Sequence, residues 1–134
     1  MVGIVVVSHG NMAEGMIDAA RMIVGSMENV ATVSLKESDA VEDLMDRIEA
    51  ALGEVDQGDG ALILVDLFGA SPFNASARLA VNRKNVEVIS GMNLPMLLEL
   101  AVQREGEDLG SVTQIAFEAG ATSIRTLSQT LNKD

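Results

Sequence analysis

Short apolar runs alternate along this chain with longer stretches in which apolar residues recur every three or four positions. The short runs cover residues 3–7 (GIVVV), 30–35 (VATVSL), 61–65 (ALILV) and 86–89 (VEVI). Strands that are apolar almost throughout are typical of parallel sheets, because helices cover both faces of such a sheet. The alternation therefore predicts an α/β protein with a doubly wound, mainly parallel sheet and a single domain over residues 1–134.

The first two amphipathic stretches have recognisable helix start signals. Residues 12–24 follow Asn11, a suitable N-cap, and Glu14 stands three residues later, as in a capping box. Asp39 is placed to cap the next helix, in which apolar residues recur at spacings of three and four from Val41 to Val55. These signals predict one helix after each of the first two strands.

The second half of the chain continues the alternation. Pro72 predicts the first turn of a helix that runs to about Asn82, and Asn93 with Pro95 predicts another capped helix start. Residues 109–119 have a helical pattern, whereas residues 122–127 fit either a strand or further helix. The scattered methionines lie at positions expected for core packing.

Composition and charge exclude several function classes. The formal net charge of −11 disfavours nucleic-acid binding, since a phosphate backbone would be repelled. The absence of Trp and Tyr leaves almost no stacking platform for bases or sugar rings, and the absence of Cys removes disulfides and thiol chemistry. No basic segment precedes the short N-terminal apolar run, so we expect no signal peptide and a cytoplasmic protein.

The residues directly after the first and third strands are the candidates for chemistry. Ser8, His9 and Gly10 follow the first strand, and Asp66 follows the third. Because the carboxyl ends of parallel strands meet at one edge of a sheet, His9 and Asp66 are expected to lie close together. A neutral imidazole is a nucleophile, and a carboxylate on one ring nitrogen orients the other nitrogen for attack.

The loop after Asp66 is a candidate anion site. Ser71 fits a helix N-cap and Pro72 fits the first helical position, and free N–H groups at a helix N-terminus bind phosphate. Gly69 lets the backbone approach a ligand closely. Each feature has a structural alternative, such as a plain helix start or a loop glycine. Their convergence on one edge favours a functional site.

Three segments carry a resemblance to a known family: VVSHG (6–10), LVDLFGASPFNAS (64–76) and VISGMNLPMLLEL (88–100). They resemble the IIA component of the mannose family of the bacterial phosphotransferase system, from residue 2 to about residue 104. The aspartate loop followed by S-P-F-N, with S-G-x-N-x-P-M downstream, is a specific combination. Many members have glycine where this chain has Ala70, whose methyl group stiffens the loop slightly.

The resemblance implies a flavodoxin-like fold in which His9 is phosphorylated, Asp66 is hydrogen-bonded to it, and the loop of Gly69, Ala70 and Ser71 holds the phosphoryl group. It implies the phosphocarrier HPr as donor and a histidine on a IIB component as acceptor, for sugar uptake. It also implies a homodimer with an exchanged C-terminal strand. Neither a cofactor nor a metal is expected, and the membrane is reached only through a IIC/IID permease.

Apolar residues in the loops at the same edge are the candidates for docking the donor. Met12, Phe68 and Met92 lie in or beside these loops. Because a chain of net charge −11 does not attract every partner by charge alone, we expect a local apolar surface to contribute to binding.

Other functions remain compatible with parts of the pattern. A related carrier that serves a dihydroxyacetone kinase would use His9 identically. A receiver-like domain phosphorylated on Asp66 needs an acidic pair where this chain has Ser8 and His9. A metal chelatase needs several ligands, and this chain has one His and no Cys. A binding module without chemistry would form no phosphohistidine.

Overall fold

The computed structural model describes residues 1–132, in which strands and helices alternate through the first eight elements and two further helices follow. The strands are β1 (Gly3–His9), β2 (Val30–Leu35), β3 (Ala61–Val65) and β4 (Val86–Ser90). The helices are α1 (Met12–Val24), α2 (Val41–Val55), α3 (Ser71–Ala80), α4 (Leu94–Gln103), α5 (Leu109–Ala121) and α6 (Leu127–Thr130). The predicted order of elements is confirmed.

The four strands form one parallel sheet in the order β2-β1-β3-β4. The chain adds β2 on one side of β1 and then crosses to add β3 on the other side. This reversal makes the gap between the carboxyl ends of β1 and β3 the switch point where ligands bind in open α/β sheets. The doubly wound parallel fold is therefore confirmed, and it places the ends of β1 and β3 side by side.

Each face of the sheet is covered by its own set of helices. Alternate residues of β1 and β3, such as Ile4 and Leu62, pack against α1, α4 and α5, and all are buried. The intervening residues, such as Val5 and Ile63, pack against α2 and α3. Because both faces are covered, the strands are apolar almost throughout, as the sequence pattern indicated.

Two of the predicted helix caps are wrong. Asn11 occupies the N-cap position of α1 but makes no capping hydrogen bond, so the capping box with Glu14 does not form. Asp39 does not cap α2, whose N-cap is Ala40. Its carboxylate instead accepts the Lys36 N–H at 2.8 Å. At Asn11 the backbone (φ −93°, ψ 17°) lies outside the extended region that a capping side chain requires. At α2 the extended N-cap position falls one residue beyond Asp39, on Ala40, which has no side-chain acceptor.

The starts of the later helices lie close to their predicted positions. α3 begins one residue earlier than expected, so Ala70 is the N-cap and Ser71 is the first helical residue. In α4, the Asn93 side chain accepts the Met96 N–H at 3.3 Å, which confirms the predicted cap. Asp108 caps α5 by accepting the Ser111 N–H at 2.8 Å, and this hydrogen bond lowers the pKa of Asp108.

The tail, whose residues 122–127 fit either a strand or further helix by sequence, is irregular over most of that segment. Residues 122–126 have no regular structure, and Thr126 then starts the short α6 with a capping box to Gln129. Within residues 1–132 the tail adds no strand to the sheet. None of the helices in this part of the chain is long and apolar enough to cross a membrane.

A buried arginine ties the amino ends of the strands together. The side chain of Arg104, with the residue only 2% exposed, donates to the carbonyl oxygens of Val2 at 3.0 Å and Asn29 at 3.2 Å. It also donates to the carbonyl oxygen of Glu28. Burial lowers the pKa of the Arg104 guanidinium. This cluster stabilises the edge of the sheet opposite to His9.

Candidate functional site

His9 and Asp66 meet at the carboxyl edge of the sheet, as the sequence predicted, with His9 at the end of β1 and Asp66 directly after β3. One carboxylate oxygen of Asp66, Oδ2, lies 2.8 Å from the His9 ring nitrogen Nδ1. The same oxygen accepts the His9 backbone N–H, also at 2.8 Å. The His9 side chain is 49% exposed, whereas that of Asp66 is 10% exposed. The carboxylate is thus buried beneath an accessible imidazole.

This contact indicates which ring nitrogen of His9 carries hydrogen. An ionised carboxylate can only accept hydrogen bonds, so Nδ1 carries a hydrogen and donates a hydrogen bond to Asp66. In the neutral ring the other nitrogen, Nε2, then has a free lone pair. A half-exposed imidazole with one nitrogen held by a carboxylate is suited to nucleophilic attack through the second nitrogen.

The turn that carries His9 is held by its neighbours on two sides. The Gly10 N–H donates to the Leu35 carbonyl at the end of β2, at 2.8 Å. The buried Ser8 hydroxyl accepts the N–H of Ala13, in the first turn of α1, at 2.8 Å. Gly10 has φ of +54°, a conformation that glycine adopts readily. These bonds place His9 at the edge of the sheet in one defined position.

Ser8 performs the capping role that the sequence assigned to Asn11. Its hydroxyl also lies 3.4 Å from the Gly10 carbonyl, to which it donates. The sequence singles out Ser8 as a residue beside His9 but does not predict its capping role, because a capping side chain is expected directly before the helix and Ser8 lies inside β1. Its polarity at the end of an otherwise apolar strand was the available signal.

The loop between Asp66 and α3 lies beside the histidine. Gly69 has φ of +82°, and its carbonyl accepts the side-chain amide of Asn74 at 3.1 Å. Asn74 was not singled out from the sequence, although it belongs to the S-P-F-N motif. Ala70 is the N-cap of α3, and Ser71 makes no capping bond through its side chain. The Asn74 contact ties the loop to the helix that it leads into.

A cleft of about 630 Å³ opens beside the histidine. It is lined by His9, Gly10, Asn11, Leu35, Lys36, Glu37, Asp39, Val41 and Ser71. Ser71, one of the three residues predicted to hold a phosphoryl group, therefore shares this cleft with His9. Gly69 and Ala70 precede it in the loop.

The three predicted docking residues do not all lie on the surface. Phe68 is 73% exposed, and its ring packs against that of Phe73 with centroids 4.6 Å apart. Met12 is also exposed. Met92 is only 5% exposed and belongs to the core under α1 and α4, so its assignment to a docking surface is wrong. Its side chain is directed into the core, and its backbone N–H donates to the Val65 carbonyl at 3.1 Å.

Within residues 1–132, no group of three or more His, Cys, Asp or Glu side chains is arranged to hold a metal ion. The site consists of one histidine, one buried carboxylate, a loop that leads into a helix N-terminus, and an adjoining cleft.

Comparison with known proteins gives a family match over most of the chain. Residues 3–117 match the EIIA-man family, described as the PTS system fructose IIA component. The chain is 35% identical over 127 residues to the mannose-specific EIIAB component of Escherichia coli (strain K12), which covers 94% of this chain and 39% of the relative. It is 37% identical over 99 residues to the sorbose-specific EIIA component of Lacticaseibacillus casei, a match that covers 74% of this chain and 71% of the relative. The chain thus spans well under half of the Escherichia coli protein.

Solved structures share the fold. The phosphotransferase system component EIIA from Streptococcus agalactiae superposes with a TM-score of 0.87 at 28% identity, covering 96% of this chain and 99% of that one. The mannose/sorbose-specific IIA subunit from Enterococcus faecalis has a TM-score of 0.84 at 28% identity, covering 94% of each chain. The arrangement of helices on the parallel sheet is therefore that of solved IIA proteins.

Proposed function

The chain belongs to the EIIA-man family of phosphotransferase-system IIA components, and from this membership we propose that it carries a phosphoryl group on His9 between two partner proteins. The observation that carries the proposal is the 2.8 Å contact between Asp66 Oδ2 and His9 Nδ1, which leaves Nε2 as the nucleophile. Asp66 also stabilises the positive charge that develops on the ring as the new bond forms.

The proposed transfer is a displacement at phosphorus. The Nε2 lone pair of His9 forms an N–P bond, while the P–N bond to the donor histidine breaks and its electron pair remains on the donor nitrogen. In the second half of the cycle an acceptor histidine attacks the same phosphorus, and the His9 N–P bond breaks. Such a transfer depends mainly on positioning and on stabilising charge.

The start of α3 is proposed to stabilise the phosphoryl oxygens. N–H groups in the first turn of a helix have no partner within the helix, and the helix dipole favours an anion there. Pro72 has no N–H, so Ser71 and Phe73 supply the first free donors. Ser71 lines the His9 cleft and its side chain makes no capping bond, so we propose that its hydroxyl also binds a phosphoryl oxygen.

The partners are proposed from the family and from the exposed apolar side chains. The donor is HPr and the acceptor is a histidine of a IIB component, in a pathway of sugar uptake. The relatives bear the names of mannose and sorbose systems, which favours a IIB component of a sugar system over a dihydroxyacetone kinase as the acceptor. Phe68 and Met12 are exposed near the histidine and are proposed to contact the partners.

A homodimer is proposed as the form that carries out the transfer. β4 is an edge strand of the sheet, and beside it lies a cleft of about 420 Å³ lined in part by Phe117, Gly120 and Ile124. Phe117, Ile124 and Leu127 are exposed in the single chain, and pairing of a partner's tail with β4 would bury such side chains.

Loss of the dimer in an Ile124→Asp variant, measured by light scattering, is the expected result. An unchanged dimer would exclude this use of the tail.

The test of the carrier function is phosphorylation in a defined mixture. The protein is incubated with phosphoenolpyruvate, enzyme I and HPr, and its intact mass is measured beside a His9→Ala variant. The expected result is a gain of about 80 Da that is acid-labile and absent from the variant. No gain, with HPr shown to phosphorylate a known acceptor, would refute the proposal. Adding a IIB component or a dihydroxyacetone kinase then identifies which acceptor removes the label.

A further inference from the structure

Lys36 lies directly after β2, and β2 ends beside the histidine. His9 and Leu35 are paired across the β1–β2 ladder. The Gly10 N–H extends this pairing by donating to the Leu35 carbonyl at 2.8 Å. The backbone of Lys36 is therefore adjacent to the turn that carries His9.

The backbone at Lys36 is held in place by a closed set of hydrogen bonds. Its N–H donates to Asp39 Oδ2 at 2.8 Å, and its carbonyl accepts the Asp39 N–H at 3.0 Å. Asp39 in turn pairs with Arg47 at 3.2 Å, and Arg47 donates to the Ser34 carbonyl at 2.9 Å. None of these bonds involves the Lys36 ammonium group, so the turn is fixed while its charged side chain stays free to reorient.

Among the residues that line the cleft, Lys36 is the one with a permanently cationic side chain. The ionisable residues that line it are His9, Lys36, Glu37 and Asp39. The Asp39 carboxylate is already paired with Arg47. In the described part of the chain, no carboxylate lies within 4.0 Å of the Lys36 ammonium, whereas Arg47 and Arg83 each have an acidic partner. A free cation thus shares the cleft with His9 and Ser71.

We propose that the Lys36 ammonium group contacts the phosphoryl group on His9 and stabilises the phosphorylated form of this chain. The inference rests on the proposed phosphorylation of His9 and adds a residue to it. A phosphoryl dianion beside the Asp66 carboxylate, on a chain of net charge −11, requires a compensating charge. A lysine is a suitable phosphate ligand because its ammonium is a compact charge on a flexible stem.

The consequence is a shift in the transfer equilibrium. Lys36 lowers the free energy of phospho-His9 without forming a bond to unphosphorylated His9. Removing the charge therefore returns phosphoryl groups to the donor. We expect a three- to tenfold change in the equilibrium constant. This is about the effect that Coulomb attraction has between two charges a few ångströms apart in a high-dielectric surface environment.

The experiment compares Lys36→Met with Lys84→Met. Lys84 is also exposed, but it lies in the α3–β4 connection at the opposite edge of the sheet, so both variants lose one charge and only the first changes the cleft. Each protein is equilibrated with a fixed ratio of phospho-HPr to HPr, and the phosphorylated fraction is read by intact mass. A three- to tenfold lower equilibrium constant is expected for Lys36→Met alone, and Lys36→Arg should restore the wild-type value. The difference between Lys36→Met and the wild type should become smaller in about 1 M salt.

A second measurement reports on the phosphoryl group itself. The pKa of the phosphohistidine phosphoryl group is followed by ³¹P NMR, and loss of a neighbouring ammonium is expected to raise it. His9, Asp66, Glu37, Asp39 and Arg47 are the same in both variants, so they do not produce a difference between them.

The outcomes separate this inference from the function on which it rests. Equal equilibrium constants and equal phosphoryl pKa values for the two lysine variants, with wild-type protein normally phosphorylated, would overturn the role of Lys36 alone. Absence of phosphorylation in the wild-type protein would overturn both. Equal melting temperatures of the two variants confirm that neither result comes from unfolding.

Discussion

One oxygen of Asp66 accepts hydrogen bonds from both the backbone N–H and the ring Nδ1 of His9, each at 2.8 Å. The position of the histidine backbone and the orientation of its ring are therefore set by the same atom. The other carboxylate oxygen, Oδ1, is buried and has no hydrogen-bond partner among residues 1–132. Any change at Asp66 is expected to alter the reactivity of His9 more than the stability of the fold.

Asp66→Asn tests the contribution of the carboxylate charge. The amide has the same shape and still accepts the backbone N–H of His9, but it carries no negative charge to stabilise an imidazolium. We expect the rate of His9 phosphorylation to fall about a hundredfold and the free energy of unfolding to change by less than about 1 kcal/mol. Rapid-quench mass spectrometry measures the rate, and ¹⁵N chemical shifts of the ring report the tautomer. A rate close to that of the wild type would refute this role.

Ser8→Ala tests whether the buried hydroxyl positions His9. The Ala13 N–H loses its acceptor in a fully buried place, which is expected to cost about 1–3 kcal/mol of stability. The turn that carries His9 also loosens, so kcat for phosphorylation should fall while KM for HPr stays constant. Urea denaturation and steady-state kinetics measure these effects.

Ser76→Ala is the matched control for Ser8. Ser76 is equally buried, and its hydroxyl donates to the Pro72 carbonyl at 2.7 Å within α3. That carbonyl lies within the hydrogen-bonded backbone of α3. Ser76→Ala should therefore lower the stability only slightly and leave the rate of phosphorylation unchanged. Equal kinetics for the two variants would show that Ser8 is only structural.

Phe68→Asp tests the exposed apolar surface near the histidine. Phe68 is exposed and contacts Phe73, so its loss is expected to change stability by less than about 1 kcal/mol. If HPr docks there, kcat/KM for phosphoryl transfer should fall about tenfold. Met22→Asp is the control, because Met22 is exposed near the far end of α1. Equal effects of the two substitutions would point to net charge and not to docking.

Arg104→Met tests the cluster at the opposite edge of the sheet. The substitution removes the donors to three carbonyl oxygens, one in a buried contact and two in partly buried contacts, while keeping an apolar stem. We expect a loss of about 3 kcal/mol in the free energy of unfolding. Arg83→Met, which breaks an exposed pair with Glu49, should cost less than about 1 kcal/mol. Phosphorylation of the folded Arg104 variant should be unchanged, since the cluster is far from His9 in the sheet.

The helix starts show how far local sequence patterns can be interpreted. Asn93 caps α4 as predicted, whereas Asn11 and Asp39 make no capping bond, although all three are suitable residue types. A cap depends on the backbone angles at the residue as well as on its side chain. At Asn11 these angles lie outside the extended region, and α2 starts one residue beyond Asp39, so Ala40 occupies its N-cap. Ser8, inside β1, supplies the side-chain acceptor for α1.

The sequence by itself determined the strands, their parallel arrangement and the meeting of His9 with Asp66. These follow from apolar runs and from the rule that parallel strands end at one edge, both of which depend on residue type and order along the chain. Only the tertiary structure decided that Met92 is buried and that Lys36 shares a cleft with His9. Those properties depend on atoms that distant segments bring together, and no pattern in the local sequence encodes them.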